Sequence, residues 1–533
     1  MPAETRLPAF IEAMLHAGFY PHRADSLELR QTHISYVVLA GDYVYKVKKP
    51  VRFAFLDYST LEKRRHFCHE EIRLNRRLAP AVYLDVVAIL QNEEQFILTE
   101  RAPKSDQILE YAVKMRRLPE DHLLDGRIKE GKARKEDFTP IAGKLADFYR
   151  KAESAQARVY GSADAIRRNL EDNLNEVEPL VGETLSFEQF TRMRNYNDDF
   201  LTGHAELFEK RIKEGRVREG HGDLRAEHIC IADDPIIFDC IEFNEKLRYC
   251  DAASEIAFLS MDLDYLGSPL LSDHFVKTFQ DVTHDLELPQ LLPLYKAYRA
   301  CVRGKVESLK SHETEVPGAE QNEAKSRARR YFHLASRCVD GPVSPAIIVV
   351  CGLVASGKST IAQSIADRTG YQILNSDVIR KQLAAIPLTS HSSHDYGTGI
   401  YSDEFNVLTY NRLLNETEDC LKTGRGVVVD ATFKDPKHRR QFLDLSTRLQ
   451  TAIIFVECRA SQEKTLERLR KRLQSPGEVS DATVEVYLRQ QAEFMPLTEI
   501  PDSIRMVVNT ESDPEKAATE VLILLGRVLA NSA

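Results

Sequence analysis

Nine cysteines occur in the 533 residues, at 68, 230, 240, 250, 301, 338, 351, 420 and 458, and no two form a Cys-x-x-Cys pair or another zinc-like spacing. That scatter argues against a thiolate metal module and fits a reducing compartment. No apolar run approaches about 18 residues, so no membrane-spanning helix is expected. The opening MPAETRLPAFIEAML carries acidic residues and lacks a basic leader before an apolar core. These absences lead to the expectation of a cytoplasmic protein with no membrane association. Like-charge tails, internal repeats and low-complexity tracts are also missing. A formal charge of −9, with 29% charged residues, argues against bulk coating of nucleic acid and leaves local basic patches open.

The length is too great for one core, so two or three domains are expected. A break is expected near Asp340-Gly341-Pro342-Val343-Ser344-Pro345, where two prolines and a glycine interrupt a helical stretch. The expected domains are therefore 1–340 and 341–533. Beyond the break, strands are expected at 346–351, 371–375, 426–430, 452–457 and 505–508, alternating with helices that include 358–369 and 513–530. Such alternation implies an α/β domain, a parallel sheet covered by helices. Before the break the pattern is α+β. A hairpin is expected over 35–48, an amphipathic helix over 61–78, and two strands within 86–99. Mostly helix follows over 140–216 and 250–338, around a β insert at 229–243, and the polar segment 311–325 reads as a loop.

The most informative stretch follows the apolar run 346–351: Gly352-Leu353-Val354-Ala355-Ser356-Gly357-Lys358-Ser359-Thr360. Two glycines let backbone N–H groups curl around phosphates, Lys358 can reach the β and γ oxygens, and the Ser359 hydroxyl can hold Mg²⁺. Ligands of such sheets sit at the carboxyl ends of strands, so residues just after each strand are candidates. Asp377 and Arg380 follow the second strand three apart, a spacing that puts a proton acceptor and a cation on one side of a helix. The alternative is a helix N-cap supplied by Ser376 or Asp377. Asp430 ends the third strand, where a carboxylate can orient Mg²⁺ or its water. Arg468 and Arg472 share a helix face four apart and could close over a triphosphate; a solvated basic face is the alternative.

The order GLVASGKST, LNSDVIRK, VVVDATF and Glu467-Arg468-Leu469-Arg470-Lys471-Arg472 resembles the P-loop kinases grouped around gluconate kinase, polynucleotide 5′-kinase, chloramphenicol phosphotransferase and zeta-type toxins, over about 345–530. The resemblance implies a general base at Asp377, an acceptor-binding role for Arg380, and a lid arginine at Arg468 or Arg472. It leaves the acceptor unnamed. Acceptor identity is expected to depend on 383–405, with His391, His394, Asp395, Tyr396 and Tyr401.

Upstream, His221-Gly222-Asp223-Leu224-Arg225-Ala226-Glu227-His228 resembles the catalytic loop of aminoglycoside phosphotransferase-like and choline kinase-like enzymes, a branch of the protein-kinase fold. The resemblance implies that Asp223 accepts the acceptor proton. Five residues on, those families place a metal-binding Asn, and this chain has His228. Asp239 resembles the metal-binding aspartate, with Glu242 as the alternative, and Asp251 resembles the aspartate that braces the catalytic loop. Lys46 resembles the phosphate-binding lysine, Glu71 its helix partner, and 111–115 the adenine-facing hinge. The paired regions resemble bacterial fusions of an aminoglycoside phosphotransferase-like domain with a P-loop kinase. The whole implies ATP and Mg²⁺ as cofactors and a small molecule or a 5′-hydroxyl nucleic-acid end as acceptor, and leaves a homo-oligomer open.

Overall fold

The computed structural model describes residues 7–53, 56–92, 95–100, 107–313, 316–341, 343–387, 399–472 and 483–532. The chain divides into two compact units, Met1–Ala335 and Ser336–Ala533. That division falls inside the helix Gly318–Asp340. Among the described residues, no helix is long and apolar enough to cross a membrane.

The first unit opens with a six-stranded antiparallel sheet: β1 (Leu27–Gln31), β2 (Ser35–Ala40), β3 (Tyr43–Lys48), β4 (Tyr83–Asn92), β5 (Gln95–Thr99) and β6 (Ile108–Arg116), in the order β1-β2-β3-β6-β4-β5. Val, Ile, Leu and Tyr dominate β2, β4 and β6, the composition that suits a pleated, half-buried surface. The helix α1 (Leu61–Asn75) starts where Thr60 Oγ1 accepts the Lys63 N–H, 3.3 Å away. It packs Cys68 and Ile72 against Val86, Ala88 and Val113 of the sheet. Glu71 and Asn75, four apart, therefore leave α1 on one side. The remainder is mostly helical, with a core drawn from Phe138–Lys151, Ala252–Tyr265, Pro269–Thr283 and Leu288–Lys310.

Three expectations for this unit are corrected. The residues expected to form a hinge, 111–115, lie inside β6, paired with β3 on one side and β4 on the other. The chain leaves the sheet only after Arg116. The segment 311–325, expected as a loop, is helical from Gly318 onward, where Ala324 and Ala328, four apart, are buried on one face. The insert at 229–243 holds only the short pair Ile229–Cys230 and Ile236–Ile237.

The second unit contains a five-stranded, wholly parallel sheet: β7 (Ala346–Cys351), β8 (Gln372–Asn375), β9 (Val427–Asp430), β10 (Ala452–Arg459) and β11 (Arg505–Asn509), in the order β8-β9-β7-β10-β11. All six residues of β7 are buried because helices cover both faces. Each large apolar side chain so buried contributes about 1.5–3 kcal/mol. With β7 central, the strand order reverses beside it, which opens a crevice at its carboxyl end.

Candidate functional site

The loop from β7 to the helix α2 (Lys358–Thr369) is shaped by what it has no room for. Gly352 has φ +137°, and a Cβ there would lie 2.5 Å from the Cys458 carbonyl. Gly357 has φ +86°, and its Cβ would crowd Thr510 at 2.9 Å. Gly357 caps α2 without a side chain, so the first N–H groups of the helix face the loop. Ser356 Oγ is buried with no hydrogen-bond partner among the described residues. An anion cradled in the loop would satisfy both, so the residues fit a triphosphate. Lys358 Nζ donates to the Leu353 carbonyl at 2.8 Å and lies along the same loop. Thr360 follows on the exposed first turn.

Ser359 Oγ donates to Asp430 Oδ2 at 2.7 Å, and Asn375 Nδ2 donates to the same oxygen at 2.8 Å. Burial pushes the Asp430 carboxyl above the usual aspartate range, against the pull of Lys358 and these two donors. A divalent cation at Ser359 and Asp430 would stabilise the ionised form, and this donor set suits Mg²⁺.

The helix α3 (Ser376–Leu383) is capped by Asn375, whose Oδ1 accepts from the N–H groups of Asp377 at 2.9 Å and Val378 at 3.1 Å. The expected alternative, capping by Ser376 or Asp377, is thereby corrected. The Asp377 carboxylate instead accepts from Arg380 Nη1 at 3.0 Å. Arg380 is 7% exposed, donates to Asn406 Oδ1 at 2.7 Å and stacks over Tyr401, 4.9 Å from the ring centre. Arg468 donates to the Ala355 carbonyl at 3.4 Å, Thr510 Oγ1 at 3.0 Å and the Thr510 carbonyl at 2.6 Å, against the phosphate loop. The side chain of Arg472 lies outside the described residues, as do His391, His394, Asp395 and Tyr396. Sequence reading missed Asn375 as the link between Asp377 and Asp430. It also missed Asn406 and Gln490, whose Oε1 accepts the Val354 N–H at 3.0 Å.

In the first unit, residues nearly 200 positions apart meet. Lys46 Nζ lies 2.9 Å from Glu71 Oε1 and 2.6 Å from Asp239 Oδ1. Burial disfavours the Lys46 ammonium, but Asp239 and Glu71 overcome that and hold its pKa well above the usual lysine range. Lys48, two residues on and therefore on the same face of β3, takes the other oxygen of Glu71 at 2.7 Å and pairs with Glu242. Tyr58 donates to Glu242 as well. The two candidate metal carboxylates are thus separated. Glu242 is buried in an ion pair, and Asp239 stands beside the 221–228 loop.

His228 Nδ1 donates to the Asp223 carbonyl at 2.8 Å, and its Nε2 is 3.7 Å from Asp239 Oδ2. Arg225 Nε lies 3.5 Å from Asp223 Oδ1. The brace expected at Asp251 is corrected: Asp251 is bound by the buried Arg211, at 2.6 Å. Glu255 fills that role, accepting the N–H groups of His221 and Gly222 and the Tyr149 hydroxyl at 2.8 Å. Gly220 has no room for a Cβ beside that carboxylate. Asn75 adds a tie from α1, accepting the Cys240 N–H at 2.8 Å. The composition of α1 gave no signal for Asn75, nor did that of the helix Ala252–Tyr265 for Glu255.

The second unit thus presents a phosphate-binding loop at the carboxyl end of a parallel sheet, and the first gathers Lys46, Glu71, Asp239 and His228 beside an antiparallel one. The model of the family described as "AAA domain" matches residues 347–497. Uncharacterised proteins of Mycobacterium tuberculosis H37Rv and Mycobacterium bovis AF2122/97 are each 31% identical over 462 residues, 86% of this chain and 88% of theirs. The chain belongs to the same family as these mycobacterial proteins. Among solved structures, an unliganded sugar kinase from Janibacter sp. HTCC2649 is 21% identical and aligns with 36% of this chain and 98% of its own, at TM-score 0.26. A gluconokinase from Sinorhizobium meliloti 1021 is 18% identical over 36% of this chain and 97% of its own, at TM-score 0.26. The GDP and kanamycin complex of the aminoglycoside phosphotransferase APH(2")-IIia is 15% identical over 60% of this chain and 99% of its own, at TM-score 0.39.

Proposed function

We propose that the second unit transfers the γ-phosphate of ATP to a hydroxyl of a small molecule or of a 5′ nucleic-acid end, and that the first unit is a second kinase site. The observation that carries this reading is the hydrogen-bonded run Ser359–Asp430–Asn375–Asp377–Arg380, which joins the phosphate loop to a base and a cation at the next strand end. Asp377 takes the acceptor hydroxyl proton as the acceptor oxygen bonds to the γ-phosphorus. The bond from that phosphorus to the β–γ bridging oxygen breaks, and ADP leaves. Arg380 orients the acceptor, while Lys358 and Arg468 offset charge gathering on the phosphoryl oxygens. Mg²⁺ held at Ser359 and Asp430 would supply further charge neutralisation.

In the first unit, the Lys46–Glu71 pair supports phosphate binding, Asp239 a metal, and Asp223 the base. His228 favours a second reading, in which this unit binds nucleotide and regulates its neighbour without transferring phosphate. The test is ATP-dependent transfer by the whole chain, Lys358→Ala and Asp223→Ala against sugars, nucleosides, antibiotics and 5′-hydroxyl oligonucleotides, resolved by mass. Loss of a product with Lys358→Ala alone supports the proposal. Loss of every product with Asp223→Ala alone, and of none with Lys358→Ala, assigns the transfer to the first unit and overturns the assignment of the second. Nucleotide binding to a Lys358→Ala chain that forms no product supports the regulatory reading.

A further inference from the structure

We infer that Gln490 is a positioning residue of the second unit, holding the Leu353–Val354 peptide so that Lys358 is aimed at the β and γ phosphates. The inference rests on the reading of 352–360 as an ATP site. One peptide group, gripped from both ends, carries it. The Leu353 carbonyl accepts from Lys358 Nζ at 2.8 Å, and the Val354 N–H of the same peptide donates to Gln490 Oε1 at 3.0 Å. The peptide is trans, so its carbonyl and N–H point in opposite directions. A rotation that turned the carbonyl away from Lys358 would therefore break the bond to Gln490 as well.

Packing brings Gln490 to this place. Its helix, Val484–Glu493, starts where Thr483 Oγ1 accepts the Val486 N–H at 3.3 Å. Tyr487 and Gln490, three apart, share a face of that helix. Tyr487 is buried in an apolar cluster with Val354, Ala355 and Leu469, which seats the helix on the leading turn of the loop. Only the amide oxygen can meet an N–H, so the orientation of the Gln490 amide is fixed too.

The consequence for Lys358 follows from its donors. An ammonium has three N–H groups and no acceptor, so one bond to the Leu353 carbonyl leaves two for phosphate oxygens. Val354 is 8% exposed, and without Gln490 its N–H would lose a partner that water cannot freely replace. The peptide would then turn to find another acceptor, and Lys358 would lose its fixed anchor. Arg468 separately holds the Ala355 carbonyl, so the loop keeps its course while the aim of the ammonium is lost.

The experiment uses the full chain and an acyl-phosphate derivative of ATP, which acylates a lysine lying beside the phosphates. The lysine nitrogen bonds to the acyl carbon, the bond from that carbon to the phosphate oxygen breaks, ATP leaves and the proton passes to solvent. Mass spectrometry of the peptide containing Lys358 reads the rate at that residue alone, so nucleotide bound at the first unit does not enter. Gln490→Ala should lower the maximal acylation rate about fivefold, the weight of one hydrogen bond, and change the half-saturating probe concentration by less than about twofold. Gln490→Met keeps most of the side-chain volume without the acceptor and should show the same loss; it decides the matter should Gln490→Ala fail to fold. A maximal rate retained by Gln490→Met assigns Gln490 to packing alone and overturns the inference, as does a loss confined to half-saturation. No acylation of Lys358 in the unsubstituted chain removes the ATP reading and the inference with it, whereas acylation that neither variant slows sinks the positioning role and leaves the ATP reading intact.

Discussion

The two units assemble their candidate sites by opposite routes. In the second, one continuous loop of nine residues and two strand ends supply nearly everything, and backbone N–H groups carry much of the binding. In the first, Lys46, Lys48, Glu71, Asp223, His228, Asp239 and Glu242 come from several separate segments and are already bound to one another. A backbone cradle fails when its loop geometry fails, whereas a side-chain network fails when any one charge loses its partner. The contrast teaches where each unit is fragile.

The largest break expected is in activity. Lys358→Ala should reduce P-loop transfer by about a thousandfold, roughly 4 kcal/mol of barrier, measured in an Asp223→Ala background. Near-normal turnover there would remove the second unit from the chemistry. Next comes Glu71→Ala, which leaves Lys46 and Lys48 without a shared counter-charge. It should cost the first unit about 3 kcal/mol, read as lost hydrogen-exchange protection over β3 with the second-unit sheet unaffected. The matching second-unit change, Asp377→Asn, should cost less, about 1 kcal/mol, because the amide oxygen can still accept from the buried Arg380, which also keeps its bond to Asn406.

Gly220→Ala should cost about 1–3 kcal/mol, because the new methyl collides with Glu255 and shifts the loop that presents Asp223. Denaturant titration with and without Glu255→Gln checks the cause, since the two changes should not add.

The pH response should also separate the sites. Burial raises Asp430 above the ordinary aspartate range. At Asp223 burial acts in the same direction, but Arg225 and His228 outweigh it and hold the carboxyl below that range. As pH falls from neutrality, Asp430 therefore takes its proton first. Mg²⁺-ATP binding at the P-loop should weaken while Asp223 is still ionised. Titrations of the Asp223→Ala and Lys358→Ala chains from pH 7 downward check the order, and earlier loss at the first unit would contradict it.

The smallest effect expected is a gain. Ala355 sits at φ +57° within the phosphate loop, a left-handed conformation that costs an alanine about 1 kcal/mol. Ala355→Gly should stabilise the second unit by about 0.5–1 kcal/mol, with glycine's greater unfolded-state entropy offsetting part of the relief. A thermal shift in the opposite direction would place the strain elsewhere.

Much of the second unit could be read directly from the chain. The expected strand 346–351 is β7, and the expected helix 358–369 is α2. Such elements are legible because a buried parallel strand must be apolar throughout and a phosphate loop needs glycine at fixed intervals. The first unit was legible in its motifs but not in its contacts. Nothing in the sequence marks Lys48, yet its side chain is fully buried between Glu71 and Glu242. Asp251 and Glu255 differ by only one helical turn, and spacing alone could not tell which of them reaches the 221–223 loop.

The sequence by itself determined the kinds of chemistry: a backbone cradle for phosphates, a base and a cation after a strand, and an aspartate loop with histidine in place of asparagine. Short-range covalent spacing sets those features, because glycine conformations and helix-turn offsets are fixed by local geometry. Only the tertiary structure decided which charges are spent on one another and which face a ligand. It assigned Glu242 to Lys48 and turned Asp239 toward His228. The reason is physical: the value of a charge depends on its distance and burial relative to others, and folding alone brings residues 46, 71 and 239 within hydrogen-bonding reach.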